Sequence, residues 1–163
     1  MAYFFFYNST DPFCQWYRSN FTDTDGVTYM CMEQYMMAEK ARLFLHEGDN
    51  TDILLKIMIQ TNPKEIKRLG KHIKGFKQDV WDQHKVDIVV RGNMMKFSQN
   101  KYLYNLLKST GTKTIVEASP FDRIWGIGYR AEDALKNKDN WGENLLGKSL
   151  MMVRDKLMST ISI

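Results

Sequence analysis

Two charges stand inside an apolar stripe between Cys31 and His46, and they limit what this chain can fold into more than any other feature. The segment CMEQYMMAEKARLFLH has helical periodicity. At about 100° per residue, Arg42, Tyr35, His46 and Glu39 share a polar arc. Leu43, Met36, Phe44, Met37, Ala41 and Leu45 cover the opposite arc. Glu33 and Lys40 fall in the middle of that apolar arc, about 20° apart. An unpaired buried charge is costly, so the fold must pair the two or set them on a cavity wall. Their Cα atoms are about 10.5 Å apart along the helix. Two long side chains can close that gap as an ion pair, or hold it open around something between them.

A chain of 163 residues predicts one domain, spanning 1–163, with a substantial core. No apolar run approaches the ~20 residues of a membrane span, which argues against a membrane partner. The opening Tyr3–Phe4–Phe5–Phe6–Tyr7 is too short for a secretory signal, lacks its basic start, and reads as a strand. Cys14 and Cys31 make neither a disulfide framework nor a metal motif, and fit a reduced, cytoplasmic chain. His46, His72 and His84 lack ligand spacing, so no zinc or other metal site is expected; nor is a cofactor. The net charge of +4 is uneven: residues 56–108 hold twelve Lys/Arg and four Asp/Glu. That half is suited to phosphates or nucleic acid, or is simply a solvated lysine-rich face.

Asp25–Gly26 is a turn signal between strands at Phe21–Thr22 and Val27–Tyr29. The central helix is expected to end near Gly48, and Asp52–Ile59 forms a second. Asn62-Pro63-Lys64-Glu65 is a helix start, with Asn as N-cap and Pro at N1. Ile66, Leu69, Gly70 and Ile73 then face inward, up to a stop at Gly75. Gln78–Phe97 reads as a long helix with Trp81, Val86, Val89, Val90 and Phe97 in the core, although Val86–Val90 has strand propensity. Asn100–Lys108 is a short helix with Leu103, Leu106 and Leu107 inward. Ile115–Ala118 is a short strand, and Ala131–Asn140 is polar and exposed. The last helix carries the stripe Leu146, Leu150, Val153 and Leu157.

Two irregular stretches remain. Asp11-Pro12-Phe13-Cys14-Gln15-Trp16-Tyr17-Arg18 mixes aromatic, polar and basic groups. It is either a loop packed by Phe13 and Trp16 or a wall for a heterocyclic ring, whose edge Gln15 would read. Ser119 to Tyr129 contains Asp122, Trp125, Gly126 and Gly128. Such a loop lets backbone approach a ligand and sets a carboxylate at its edge. Its Gly-x-Gly lacks the third glycine of a dinucleotide fingerprint.

Taken together, DPFCQWY (11–17), DGVTYMCMEQYMMAEKARLF (25–44), the isolated Trp81, KFSQN (96–100), LLKSTG (106–111), VEASPFDRIWGIG (116–128) and WGENLLGKSLMMVR (141–154) resemble the NADAR family, also called YbiA-like, over nearly the whole chain. Cys14 stands where that family usually has Ser, and Met32 where it usually has a small residue. The resemblance implies an α+β, predominantly helical single-domain fold with a few short strands, YbiA-like, and cleavage of N-glycosidic bonds. Two substrate types go with it: ADP-ribose attached to guanine in nucleic acid, and the phosphorylated ribosylamino-pyrimidines of early riboflavin biosynthesis. It implies catalytic roles for Glu33, Lys40 and Asp122, the lysine through a Schiff base to the opened ribose. Phe13, Gln15, Trp16, Trp81, Trp125, Gly126, Gly128 and Asn144 are the expected substrate-binding set. The chemistry suits these residues. Breaking a C1–N bond develops positive charge at C1 and negative charge on the leaving nitrogen, which carboxylates and a proton donor relieve. A partly desolvated amine is more readily neutral and nucleophilic. A non-catalytic ADP-ribose-binding module, and a nucleic-acid-binding protein using residues 56–108, are the competing readings.

Overall fold

The computed structural model describes residues 2–159. They divide into two compact units: residues up to Tyr17 together with those from Phe97 onward, and Arg18–Lys96.

In the first unit, strand β1 (Tyr3–Phe6) pairs in parallel with a strand more than a hundred residues later, here β4 (Thr114–Glu117), with Phe4 opposite Ile115. Parallel strands need a long crossover, and everything between the two supplies it. Helix α7 (Leu145–Ser159) lies against β4. Its stripe Leu146, Leu150, Val153 and Leu157 is buried as expected. Gly147 permits the approach, because a Cβ there would strike the Ile115 carbonyl oxygen. On α5 (Lys101–Ser109), Leu103 and Leu107 are fully buried, Leu106 partly, and Asn100 caps the helix by accepting the Leu103 N–H at 3.1 Å. Buried Arg154 on α7 donates to Thr110 Oγ1 and to the Lys113 carbonyl, tying the α5–β4 turn to α7. Residues 131–140 form a four-residue helix α6 (Ala131–Ala134) and a 3-10 turn, with Ala134 buried beside Val116 and Ile127.

The second unit holds a short hairpin of β2 (Phe21–Thr22) and β3 (Thr28–Tyr29), closed where expected, with Gly26 at φ +83°. Asp23 Oδ1 accepts the Asp25 and Val27 N–H groups, and Oδ2 accepts the Tyr29 hydroxyl. Helix α1 (Met32–Leu43) packs on α2 (Thr51–Ile59) and α3 (Pro63–Gly70). Asn62 caps α3 as its sequence requires, accepting the Lys64 N–H at 3.0 Å. Gln78–Ser98 is helix α4, so the helical reading of Val86–Val90 holds.

Two expectations are corrected. Helix α1 ends at Leu43 rather than near Gly48, because the chain turns at Phe44 and buried Asn50 donates to the Phe44 carbonyl at 2.7 Å. Nor does α1 have a solvated polar arc at Tyr35. That ring is 2% exposed and packs on Phe21 and Tyr29, and burial pushes its hydroxyl up to about 12. The whole stretch Met32–Ala38 is buried. The bulk of Met32 is accommodated at Gly92, where a Cβ would meet the Met32 sulfur and the Tyr35 ring.

Candidate active site

The second unit holds Glu33, Lys40 and Trp81. Helix α1 buries Glu33 at 4% exposure and leaves Lys40 half-buried. The Lys40 ammonium donates to the Gly70 carbonyl at 3.3 Å, at the end of α3. It lies 4.6 Å from the Phe76 ring centroid and 5.5 Å from that of Trp81, whose indole is buried at the start of α4. Among the described residues Lys40 has no ion pair, so the direct Glu33–Lys40 bridge is not what the fold builds. Burial instead pulls the Lys40 amine below its ordinary 10.5, and the Glu33 charge partly opposes this from along the helix. The result is an amine near two aromatic rings, loosely held by one carbonyl, whose charged form burial disfavours.

Sequence reasoning missed two groups here. Phe76 follows a glycine turn, and nothing in its local sequence signals that its ring will meet Lys40. Lys96 is 1% exposed, and with Glu33 its charge acts on the buried Cys31 thiol, which burial pushes up. A lysine between Met95 and Phe97 on a helix was the available signal.

The first unit holds the other candidates. Asp122 closes the 119–125 turn: its Oδ1 accepts the Ile124 and Trp125 N–H groups at 2.8 and 2.9 Å. Its Oδ2 carries no hydrogen bond among the described residues. Trp125 is half-buried. Gly126 packs flat on β4, where a Cβ would press on the Glu117 and Asp122 carbonyls, and Gly128 needs its φ of +81°. Asn144, 5% exposed and itself at φ 52°, accepts the Glu117 N–H on Oδ1 and donates Nδ2 to the Ile115 carbonyl. Its side chain thus staples the loop to β4. Phe13 is 2% exposed and packs edge-on against Phe6 and Phe97. Gln15 is buried and Trp16 half-buried, and Cys14 Sγ accepts the Trp16 N–H at 3.4 Å. Arg123 donates to the Asn140 carbonyl. A cleft of about 390 Å³ opens beyond the ends of β1 and β4, lined among others by Phe5, Asp11, Pro120, Phe121 and Arg130.

The family model described as the NADAR domain matches residues 4–158, through both units. The chain belongs to the NADAR domain family. It is 47% identical over 150 residues to N-glycosidase R617 of Acanthamoeba polyphaga mimivirus, covering 88% of this chain and 86% of that protein. It is 33% identical to the chloroplastic riboflavin biosynthesis protein PYRR of Zea mays, over 84% of this chain but only 21% of that longer protein. The NMR structure of E. coli YbiA superposes with a TM-score of 0.78 at 22% identity, covering 99% of this chain and 89% of that one. At that identity the likeness concerns the fold, and the fold is YbiA-like: helical, with a few short strands. Among the described residues no helix is long and apolar enough to cross a membrane.

Proposed function

We propose that this NADAR chain removes ADP-ribose from guanine in nucleic acid by breaking the ribose C1–N bond, with Lys40 as nucleophile. Its kinship places it among hydrolases acting on N-glycosidic bonds. The observation that carries the mechanism is the Lys40 amine between Phe76 and Trp81, drawn below 10.5 by burial. A neutral amine has the lone pair that an ammonium lacks.

In the proposed sequence, Lys40 Nζ bonds to C1 as the C1–N bond breaks and the electron pair leaves on the base. The base takes a proton, and Nζ gives one up. Opening of the ribose ring leaves an imine between C1 and Nζ, which water hydrolyses to free amine and free sugar. The net change is one water consumed, one base and one ADP-ribose released. Glu33 carries protons and stabilises charge at C1. Asp122, its Oδ1 held by two N–H groups, is proposed as a further acidic residue of the reaction on the strength of the family resemblance. The Trp81 indole, beside Lys40, is the proposed contact for the base.

The test is mass spectrometry of the protein incubated with ADP-ribosylated oligonucleotide, with and without borohydride. The expected result is released guanine-containing strand and a reduced adduct on Lys40 that vanishes in Lys40→Arg. Release without an adduct removes Lys40 from the nucleophile's role. A second reading takes a phosphorylated ribosylamino-pyrimidine as substrate; the maize relative's name is the observation favouring it. Cleavage of that compound, with none of the oligonucleotide, would establish the second reading over the first.

A further inference from the structure

The stretch from Lys64 to Lys77 carries six basic residues and one acidic one. Glu65 is engaged by Arg68 at 2.8 Å. Lys64, Lys67, Lys71, Lys74 and Lys77 are exposed and have no ion pair among the described residues. At helical spacing Lys64, Lys67 and Lys71 fall within about 60° of one another, opposite the buried Ile66 and Leu69. The row then passes into a rigid turn. Asn50, fully buried, donates to the Lys74 carbonyl at 2.9 Å and accepts the Lys74 N–H at 2.8 Å. Gly75, at φ +68°, is seated on Glu47. The turn presents Phe76 between Lys74 and Lys77. One part of that ring covers the Lys40 amine and meets Phe44, and 36% of the residue remains open to solvent.

Unpaired like charges in a row repel one another and gain from a polyanion. Lys64 and Lys71 alone are about 10.5 Å apart along the helix, wider than one diphosphate spans. The single diphosphate of one adduct therefore leaves most of the row unused. Cations interleaved with an exposed aromatic face match a single strand, whose phosphates meet amines while a base stacks on the ring. We infer that the Lys64–Lys77 face is a docking strip for a single-stranded polynucleotide, leading the strand that carries the adduct to Lys40. The inference extends the proposed reading from the adduct to its carrier, and rests on that reading for the role of Lys40.

The test measures binding without turnover: fluorescence anisotropy of an unmodified single-stranded 20-mer (about twenty nucleotides, ample for such a strip) against salt. The variant K71Q/K74Q/K77Q should lose about tenfold in affinity, and its log–log salt slope should fall by about 2. The control K101Q/K108Q/K148Q removes the same charge from exposed positions of the other unit and should bind like the wild type. Equal losses in both variants would reduce the strip to general charge attraction and overturn the inference. So would absence of wild-type binding, or equal affinity for a duplex. None of these outcomes depends on the glycosidase reaction. A missing Lys40 adduct sinks the mechanism alone, and a missing salt-dependent complex sinks the strip alone.

Discussion

Replacing Asn144 by Ala separates a substrate contact from a structural one. The Asn144 side chain joins α7's entry to the backbone of β4 through two hydrogen bonds, 2.9 Å to the Glu117 N–H and 3.0 Å to the Ile115 carbonyl. Truncation leaves both backbone groups without their partner, at about 1–3 kcal/mol each for a buried group. Asn144 also sits at φ 52°, where alanine is worse by about 1–2 kcal/mol than a residue suited to the left-handed region. The total is about 3–8 kcal/mol, a large share of the ~5–15 kcal/mol that keeps a domain folded. For a chain of this length that is a Tm lower by about 10 °C or more. Asn144→Gly loses the same hydrogen bonds without the backbone strain and should fall about 1 kcal/mol less. Urea unfolding reads both as a lower midpoint at unchanged slope. A loss below about 1 kcal/mol in both variants, with KM raised, would refute this reasoning and return Asn144 to substrate contact.

Further expectations concern the amine and the close approaches. Glu33→Gln removes the one charge that opposes the effect of burial on Lys40, so the amine should fall further below 10.5. Competitive labelling of Lys40 against pH should show its midpoint moving to lower pH; a move upward would contradict the electrostatics. Because the folded state lowers this lysine, the cost of burying its ammonium is fully present at low pH. It is relieved as pH rises through the folded value toward 10.5, so Lys40→Met should be stabilising near neutrality and less so in alkali, as read by urea midpoints. Gly147→Ala and Gly70→Ala should differ. The first drives a Cβ into the Ile115 carbonyl, which cannot move, whereas the second meets the flexible Met37 thioether. Overpacking against backbone should cost about 2 kcal/mol or more, and against Met37 about 1 or less, in the same unfolding assay.

Much of the helical framework could be read from the chain alone, because its signals are local. The Asn62–Pro63 start of α3 and the Leu146–Leu157 stripe of α7 each express a rule that acts within a few residues. So does the Asp25–Gly26 turn. Periodicity likewise marked Glu33 and Lys40 as charges on a buried face. Other features were decided by groups far apart in sequence. Register between β1 and β4 depends on strands more than a hundred residues apart. Tyr35 is buried by Phe21, Tyr29 and Gly92 rather than by its own helix. Whether Glu33 and Lys40 would pair directly depended on where Gly70, Phe76 and Trp81 came to rest. The sequence by itself determined that this chain would have helices of these faces and two charges with nowhere apolar to go. Only the tertiary structure decided that Lys40 would lie between two rings and Asn144 would bind β4. Side-chain placement across elements follows from long-range closure and packing, and no short window of residues contains that information.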